Sequence, residues 1–179
     1  MSWVEVARLS LMLAAAAAGC AMDLWKRRIP DLITWPALGA GLILSFAEDG
    51  LGGAFERGLV SAVLGAAFCG FVFGMFYLWN RGMGAGDVKL MAAIGALAGF
   101  SGSLGIAMCV GIAGAVLALV WIVVSRRVGE QVQRLVRRFR RAPKEPEPGA
   151  APPERLTVPY GIAILAGAVW GALVQYGIL

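Results

Sequence analysis

The sequence predicts an all-α membrane protein with six transmembrane helices and one basic amphipathic segment on the cytoplasmic side. The chain of 179 residues is 59% hydrophobic and only 15% charged, and its mean hydropathy is +0.76. Soluble domains carry about 25% charged and about 45–50% apolar residues. The apolar residues fall into six runs separated by charged or glycine-rich stretches. We therefore expect residues 1–179 to form a single domain within the bilayer.

The first two apolar runs cover residues 3–22 and 32–46. Three basic residues follow the first run instead of preceding it, which favours a retained transmembrane helix over a cleaved signal peptide. The second run has Pro36 near its start, where the missing N–H is tolerated. Asp31 stands just before this run, in the position of an N-terminal cap.

The third run covers residues 58–79, and the fourth, residues 88–100, has only 13 residues. A straight crossing needs about 20 residues. Ser-Gly-Ser at residues 101–103 interrupts the chain before a fifth run at 104–124. The sequence leaves open whether the fourth run crosses the membrane completely or enters it half-way.

Residues 125–156 form the one long polar stretch, and residues 158–178 form the sixth apolar run. Within 126–141 apolar residues recur at helical spacing between arginines, which is typical of an amphipathic helix on anionic lipids. A proline-rich linker follows. A solvated tether without a partner of its own explains the same residues equally well, so binding of lipid, substrate or an assembly partner stays open.

The basic residues are distributed asymmetrically between the two sides of the predicted membrane. Only Arg8 and Arg57 fall in segments assigned to the outer side. The positive-inside rule then places both termini outside and brings Asp23, Asp87 and residues 159–161 to the cytoplasmic face. This distribution accounts for the net charge of +5 without a nucleic-acid partner.

Two aspartates lie at the cytoplasmic ends of predicted helices. Asp23 ends the first run, and Asp87 opens the fourth after glycines at 82, 84 and 86. A charged side chain costs about 2.5–3.5 kcal/mol at the centre of a spanning helix and less near the interface. If the two carboxyls face each other, they can hold one proton between them. One would then take a proton from water while the other protonates a peptide carbonyl, which is acid–base hydrolysis without a metal or cofactor.

Three other interpretations use the same residues. An interfacial aspartate beside lysine or arginine is also typical of a salt-bridged helix end. A small transporter or proton pathway could use the acids as a relay, although it would favour acids nearer mid-span and inverted repeats. The chain could also serve as a non-catalytic membrane scaffold.

Three segments resemble the signatures of a known family. Residues 23–31 read Asp-Leu-Trp-Lys-Arg-Arg-Ile-Pro-Asp, residues 84–90 read Gly-Ala-Gly-Asp-Val-Lys-Leu, and residues 159–161 read Pro-Tyr-Gly. They resemble the motifs of the type IV prepilin peptidases, membrane aspartic peptidases with a glycine-x-glycine-aspartate motif. The resemblance implies that Asp23 and Asp87 are the catalytic pair. The residues that it implies for shaping the site are Gly84, Gly86 and Lys89, and the candidates for substrate binding or structural support are Arg28, Pro30, Pro159 and Gly161.

The resemblance also implies a substrate and a location. It implies removal, after a glycine, of the basic leader of prepilins or pseudopilins at the cytoplasmic face of the bacterial inner membrane, with the pilus assembly machinery as a further partner. The length resembles the short branch that serves Flp/Tad pili. Larger members carry an N-terminal segment with paired cysteines linked with methyl transfer, so no methyl transfer is expected here.

Overall fold

In the computed structural model, residues 3–26, 29–53, 55, 58–80, 84–124 and 160–175 are described. These ranges contain α-helices and no strands, which confirms the predicted all-α class. The helices are α1 (Trp3–Lys26), α2 (Asp31–Asp49), α3 (Leu59–Asn80), α4 (Ala85–Val124) and α5 (Tyr160–Gln175). The predicted basic segment at 125–156 lies outside the described residues.

Some of the described helices have the length and composition of membrane-spanning helices. Three of them contain stretches long and apolar enough to cross a bilayer, namely Trp3–Lys26, Leu59–Leu78 and Ala85–Val120. Helix α5 is apolar but shorter. Large apolar side chains cover the outside of the bundle, with Phe71 70% and Ile43 70% exposed. Such a surface fits a lipid environment, and the prediction of six crossings stays a prediction.

Helix α4 is broken at Gly99, where φ is 73° and ψ is 174°. The chain reverses at this glycine. Asp87 and Gly114 both lie close to the Tyr160 side chain, although 27 residues of straight helix would separate them by about 40 Å. Gly102, just after the break, packs against Gln175 at the far end of α5.

The predicted interruption at residues 101–103 was therefore wrong in position. These residues are helical, and the break lies at Gly99. Only glycine readily adopts the backbone conformation found at that position. Ser103 supports the helix that follows, because its hydroxyl donates a hydrogen bond of 2.7 Å to the Phe100 carbonyl.

The first half of α4 is the centre of the bundle. Leu90, Met91 and Ile94 have no exposed surface, and their helix contacts α1, α2, α3 and α5. The backbones of α3 and α4 meet directly at Gly65 and Gly95. Because these glycines lack a Cβ, the two helices approach closely, as membrane helices do at small residues.

Several predicted helix ends need correction. Helix α2 ends at Asp49 instead of residue 46, and α4 begins at Ala85 instead of residue 88. Helix α1 continues past residue 22 to Lys26, so that Asp23 lies within its last turn. Asp31 was predicted to be the N-cap of α2, but Pro30 occupies that position and the helix has no side-chain cap. The Asp31 carboxylate instead accepts hydrogen bonds of 2.7 and 2.8 Å from Lys89 Nζ. Its charge is thus paired across α2 and α4.

Replacing Gly99 by alanine should destabilise the fold. A Cβ at this position would lie 3.1 Å from Ser61 Oγ, and L side chains rarely adopt this backbone conformation. The expected loss is about 1–3 kcal/mol of unfolding free energy, measured by denaturant titration in detergent micelles. Gly105→Ala is the matched control, because a Cβ added there would meet no atom within 4 Å. Equal stability of the two variants would contradict the assigned role of Gly99.

Candidate active site

Asp87 occupies the first turn of α4 and is only 4% exposed. Its Oδ2 accepts a hydrogen bond of 3.0 Å from the Gly84 N–H, while the Asp87 N–H donates to the Gly84 carbonyl at 3.1 Å. The first contact matches one half of a capping box, in which an acid three residues into a helix satisfies the backbone before it. The positive end of the helix dipole also favours a carboxylate here.

Asp23 lies within the last turn of α1 and is half-buried. Its Oδ2 accepts a hydrogen bond of 2.9 Å from the N–H of Gly161 in the first turn of α5. A Cβ at Gly161 would lie 3.0 Å from the Asp23 Cβ and 3.0 Å from the Cys20 Cα. The absence of a side chain at Gly161 therefore allows α5 to bring a backbone donor to Asp23.

The two aspartates lie close enough for their charges to interact. Each carboxylate uses Oδ2 to accept a backbone N–H at the start of a helix, α4 for Asp87 and α5 for Asp23. Within the described ranges no hydrogen bond engages either Oδ1. The Tyr160 side chain is half-buried and lies close enough to Asp87 to interact with its charge. The meeting of Asp23 and Asp87 stays a prediction, which the interaction of their charges favours.

The glycine loop is joined to the segment that follows α1. A Cβ at Gly86 would lie 2.9 Å from the Cβ of Ile29 and 3.2 Å from its carbonyl oxygen. Ile29 is buried, with 8% of its surface exposed. This close approach holds the start of α4 against the connection between α1 and α2. Gly84 and Gly86 therefore have separate roles, the first as a donor to Asp87 and the second as a packing surface.

The remaining residues from the motifs are located as follows. Lys89 forms an ion pair with Asp31, with 47% and 57% of the two side chains exposed. Pro30 caps α2, and its carbonyl accepts a hydrogen bond of 3.1 Å from the Ile33 N–H. Arg28 and Pro159 lie outside the described residues. Lys89 and Pro30 thus connect helix ends and do not reach the carboxylates.

The acid–base chemistry available here is that of a carboxyl pair. In the part of the chain that the structure describes, no group of three or more histidine, cysteine or acidic side chains has the arrangement of a metal site. Two carboxyls with a water between them can act as base and acid toward a polarised carbonyl. The backbone N–H groups that bind the two Oδ2 atoms orient the carboxyls, which can still act as base and acid.

The sequence-based interpretation did not predict the environment of Arg8. It was assigned to the outer side by charge counting, whereas its side chain is buried, with 4% exposed. Its guanidinium binds Glu48 and the backbone of α4. The available signal was an arginine inside the first apolar run, since charged residues in such runs pair with other groups inside the protein.

The comparisons with known proteins agree on one family. A model described as the type IV leader peptidase family matches residues 10–119, which contain Asp23, Asp87 and the glycine loop. The prepilin leader peptidase/N-methyltransferase of Xanthomonas campestris pv. campestris is 34% identical over 108 residues, covering 59% of this chain and 37% of that protein.

Two further relatives carry the same name. The Burkholderia pseudomallei protein is 36% identical over 114 residues, covering 60% of this chain and 35% of its own. The Dickeya chrysanthemi protein is 29% identical over 103 residues, covering 56% of this chain and 36% of its own. The matches thus span little more than a third of these relatives, and no solved structure matches the chain. Since the family model covers more than half of the chain, the chain belongs to the type IV leader peptidase family.

Proposed function

We propose that this chain is a prepilin leader peptidase in which Asp23 and Asp87 are the catalytic pair. The observation that carries the proposal is the approach of these two carboxylates, each oriented by the first turn of a helix. Membership of the leader peptidase family and the names of three relatives support the substrate class. The proposed substrates are prepilins or pseudopilins that carry a basic leader.

The proposed reaction is direct hydrolysis by water. The ionised carboxylate takes a proton from the water as its oxygen attacks the peptide carbonyl carbon. The protonated carboxyl donates its proton to the carbonyl oxygen, which gives a tetrahedral diol. Collapse of this intermediate breaks the C–N bond as the first aspartate gives its proton to the departing nitrogen and the second aspartate takes a proton from a diol hydroxyl, which restores the starting pair. The products are the leader with a new carboxyl end and the mature protein with a new amino end.

The proposed location is the bacterial inner membrane, with six helices crossing and the aspartate pair at the cytoplasmic side. Three observations support this arrangement. The apolar exterior fits lipid, the chain reverses at Gly99 within α4, and basic residues lie in the sequence beside both aspartates, as the positive-inside rule expects of a cytoplasmic side. Compared with the transporter alternative, family membership favours hydrolysis.

Asp23→Asn and Asp87→Asn should each abolish leader removal. Asparagine keeps the size and the acceptor for the backbone N–H but cannot exchange the required proton, so the cleavage rate should fall by about 10²–10⁴-fold or more. The measurement is the mass shift of a co-expressed prepilin. Asp31→Asn is the matched control, because the Asp31 carboxylate binds Lys89 and is not one of the two proposed catalytic groups. This variant should cleave normally.

Two outcomes would contradict the proposal. Normal cleavage by either asparagine variant would exclude its residue from catalysis. Intact pili after alanine replacement of both aspartates would favour the scaffold interpretation. Proton or cation flux through liposomes containing the protein, lost in the same asparagine variants, would favour the transporter interpretation.

Gly161→Ala should slow cleavage while leaving the fold intact. Its Cβ would lie 3.1 Å from Asp23 Oδ2, so that either α5 or the carboxylate must shift. A displacement approaching 1 Å can cost about 10²-fold in rate. The measurement is the single-turnover cleavage rate in detergent. Gly39→Ala, where a Cβ meets no atom within 4 Å, should keep the parental rate, and equal rates for both variants would exclude a positioning role for Gly161.

A further inference from the structure

Arg8 is a buried charge at the end of the bundle opposite the aspartate pair. Its Nη1 lies 2.6 Å from Glu48 Oε2 in the last turn of α2, and 5% and 19% of the two side chains are exposed. Burying a charge is costly unless a partner compensates it. Glu48 supplies that compensation, which links α1 to α2. The ion pair alone would not require any contact with α4.

The same guanidinium also binds α4, because the helix break frees an acceptor there. In an unbroken helix the Leu97 carbonyl would accept the N–H four residues later. The conformation of Gly99 interrupts this pattern, and Arg8 Nε donates a hydrogen bond of 2.8 Å to the Leu97 carbonyl. Inside a membrane every backbone polar group needs a partner within the protein. Arg8 therefore replaces a hydrogen bond that the helix itself has lost.

Other helices supply partners for the neighbouring backbone groups. Gln175 Nε2 donates to the Ala98 carbonyl at 3.4 Å, and the Phe100 N–H donates to Ser61 Oγ at 3.0 Å. The break is thus held by side chains from α1, α3 and α5. Of these side chains, Arg8 is the one carried by the helix that also bears Asp23.

The two helices that bear the aspartates are therefore connected at both ends. Arg8 precedes Asp23 by fifteen residues, about 22 Å along α1, and Leu97 follows Asp87 by ten residues, about 15 Å along α4. Between these levels Gly19 packs directly against Leu90. A change at the Arg8 end should tilt α1 relative to α4 and alter the separation of the carboxylates at the other end.

We infer that Arg8 is a positioning residue, which sets the spacing of Asp23 and Asp87 by binding the freed Leu97 carbonyl from α1. The inference rests on the proposed function of the aspartate pair. Arg8 touches no reacting atom and acts through the relative position of two helices. Its loss should therefore lower kcat with little change in KM.

The decisive variant is Arg8→Met combined with Glu48→Gln. It removes the charges of both partners of this buried ion pair, and the Leu97 carbonyl loses its donor. Provided that the variant keeps the parental thermal stability in detergent, its kcat should fall by about 10–100-fold, since a misplacement of the carboxylates by about 1 Å costs this much. The pH–rate profile should also become narrower, because more distant carboxyls influence each other less. Ser10→Ala is the control, since among the described residues Ser10 bonds within its own helix, to the Val6 carbonyl at 2.6 Å.

A second readout is independent of catalysis. Cys20 lies one turn before Asp23 and is 7% exposed. With Cys69→Ser and Cys109→Ser as background, Cys20 alkylation by N-ethylmaleimide should be several-fold faster in the double variant than in the parent. If the double variant does not fold, Arg8→Lys replaces it. The lysine ammonium can pair with Glu48 but lacks the separate Nε donor. The changes in kcat and in the rate of Cys20 alkylation should then have the same direction and a smaller size.

The outcomes separate this inference from the proposed function. Parental kcat together with parental Cys20 alkylation in a stable variant would overturn the role of Arg8. A lower kcat with unchanged alkylation would also overturn it, because the effect would then not arise from helix spacing. If the parent cleaves no prepilin, the proposed function fails, whereas Cys20 alkylation still decides whether Arg8 sets the position of α1.

Discussion

The structure depends on supplying backbone donors to two carboxylates within an apolar bundle. Gly84 donates to Asp87 at the start of α4, and Gly161 donates to Asp23 at the start of α5. The first N–H groups of a helix have no partner within it, and the helix dipole favours negative charge at the same place. The N-terminal ends of α4 and α5, which donate to the two carboxylates, therefore offset part of the free-energy cost of burying the carboxylates and of their mutual repulsion. The positions of α1, α4 and α5 follow from this requirement.

Glycine is needed at these positions for different physical reasons. Gly161 permits close approach to Asp23, and Gly86 permits close approach to Ile29, because a Cβ at either place would collide with a neighbouring atom. Gly99 is needed for its backbone conformation, which reverses the chain within α4. The reversal lets both halves of α4 contact α5, the first near Asp87 and the second along the length of α5. The site is thus built from chain segments that are distant in sequence.

Much of this arrangement could be predicted from the sequence. Asp23 ends one apolar run and Asp87 opens another, and the free-energy cost of a charge in a membrane made both candidates for a functional site. The positive-inside rule predicted that both lie on one side of the membrane. The position of the break in α4 could not be predicted in the same way. Ser-Gly-Ser at 101–103 is locally the stronger loop signal, but Ser103 bonds to the helix backbone and Gly99 provides the turn. The role of Asp31 was misjudged because its partner, Lys89, is 58 residues away.

Arg8 shows why long-range pairing escapes inspection of a sequence. As a residue near the start of an apolar run it fits an outer flank, where charge would be solvated. Its burial becomes favourable only because Glu48 and a carbonyl freed by Gly99 converge on it, and these groups come from two other helices. The same break that would be costly in a membrane thus provides the acceptor that ties α1 to α4. In the proposed peptidase, these satisfied polar groups at the opposite end of the helices would fix the separation of the two carboxylates.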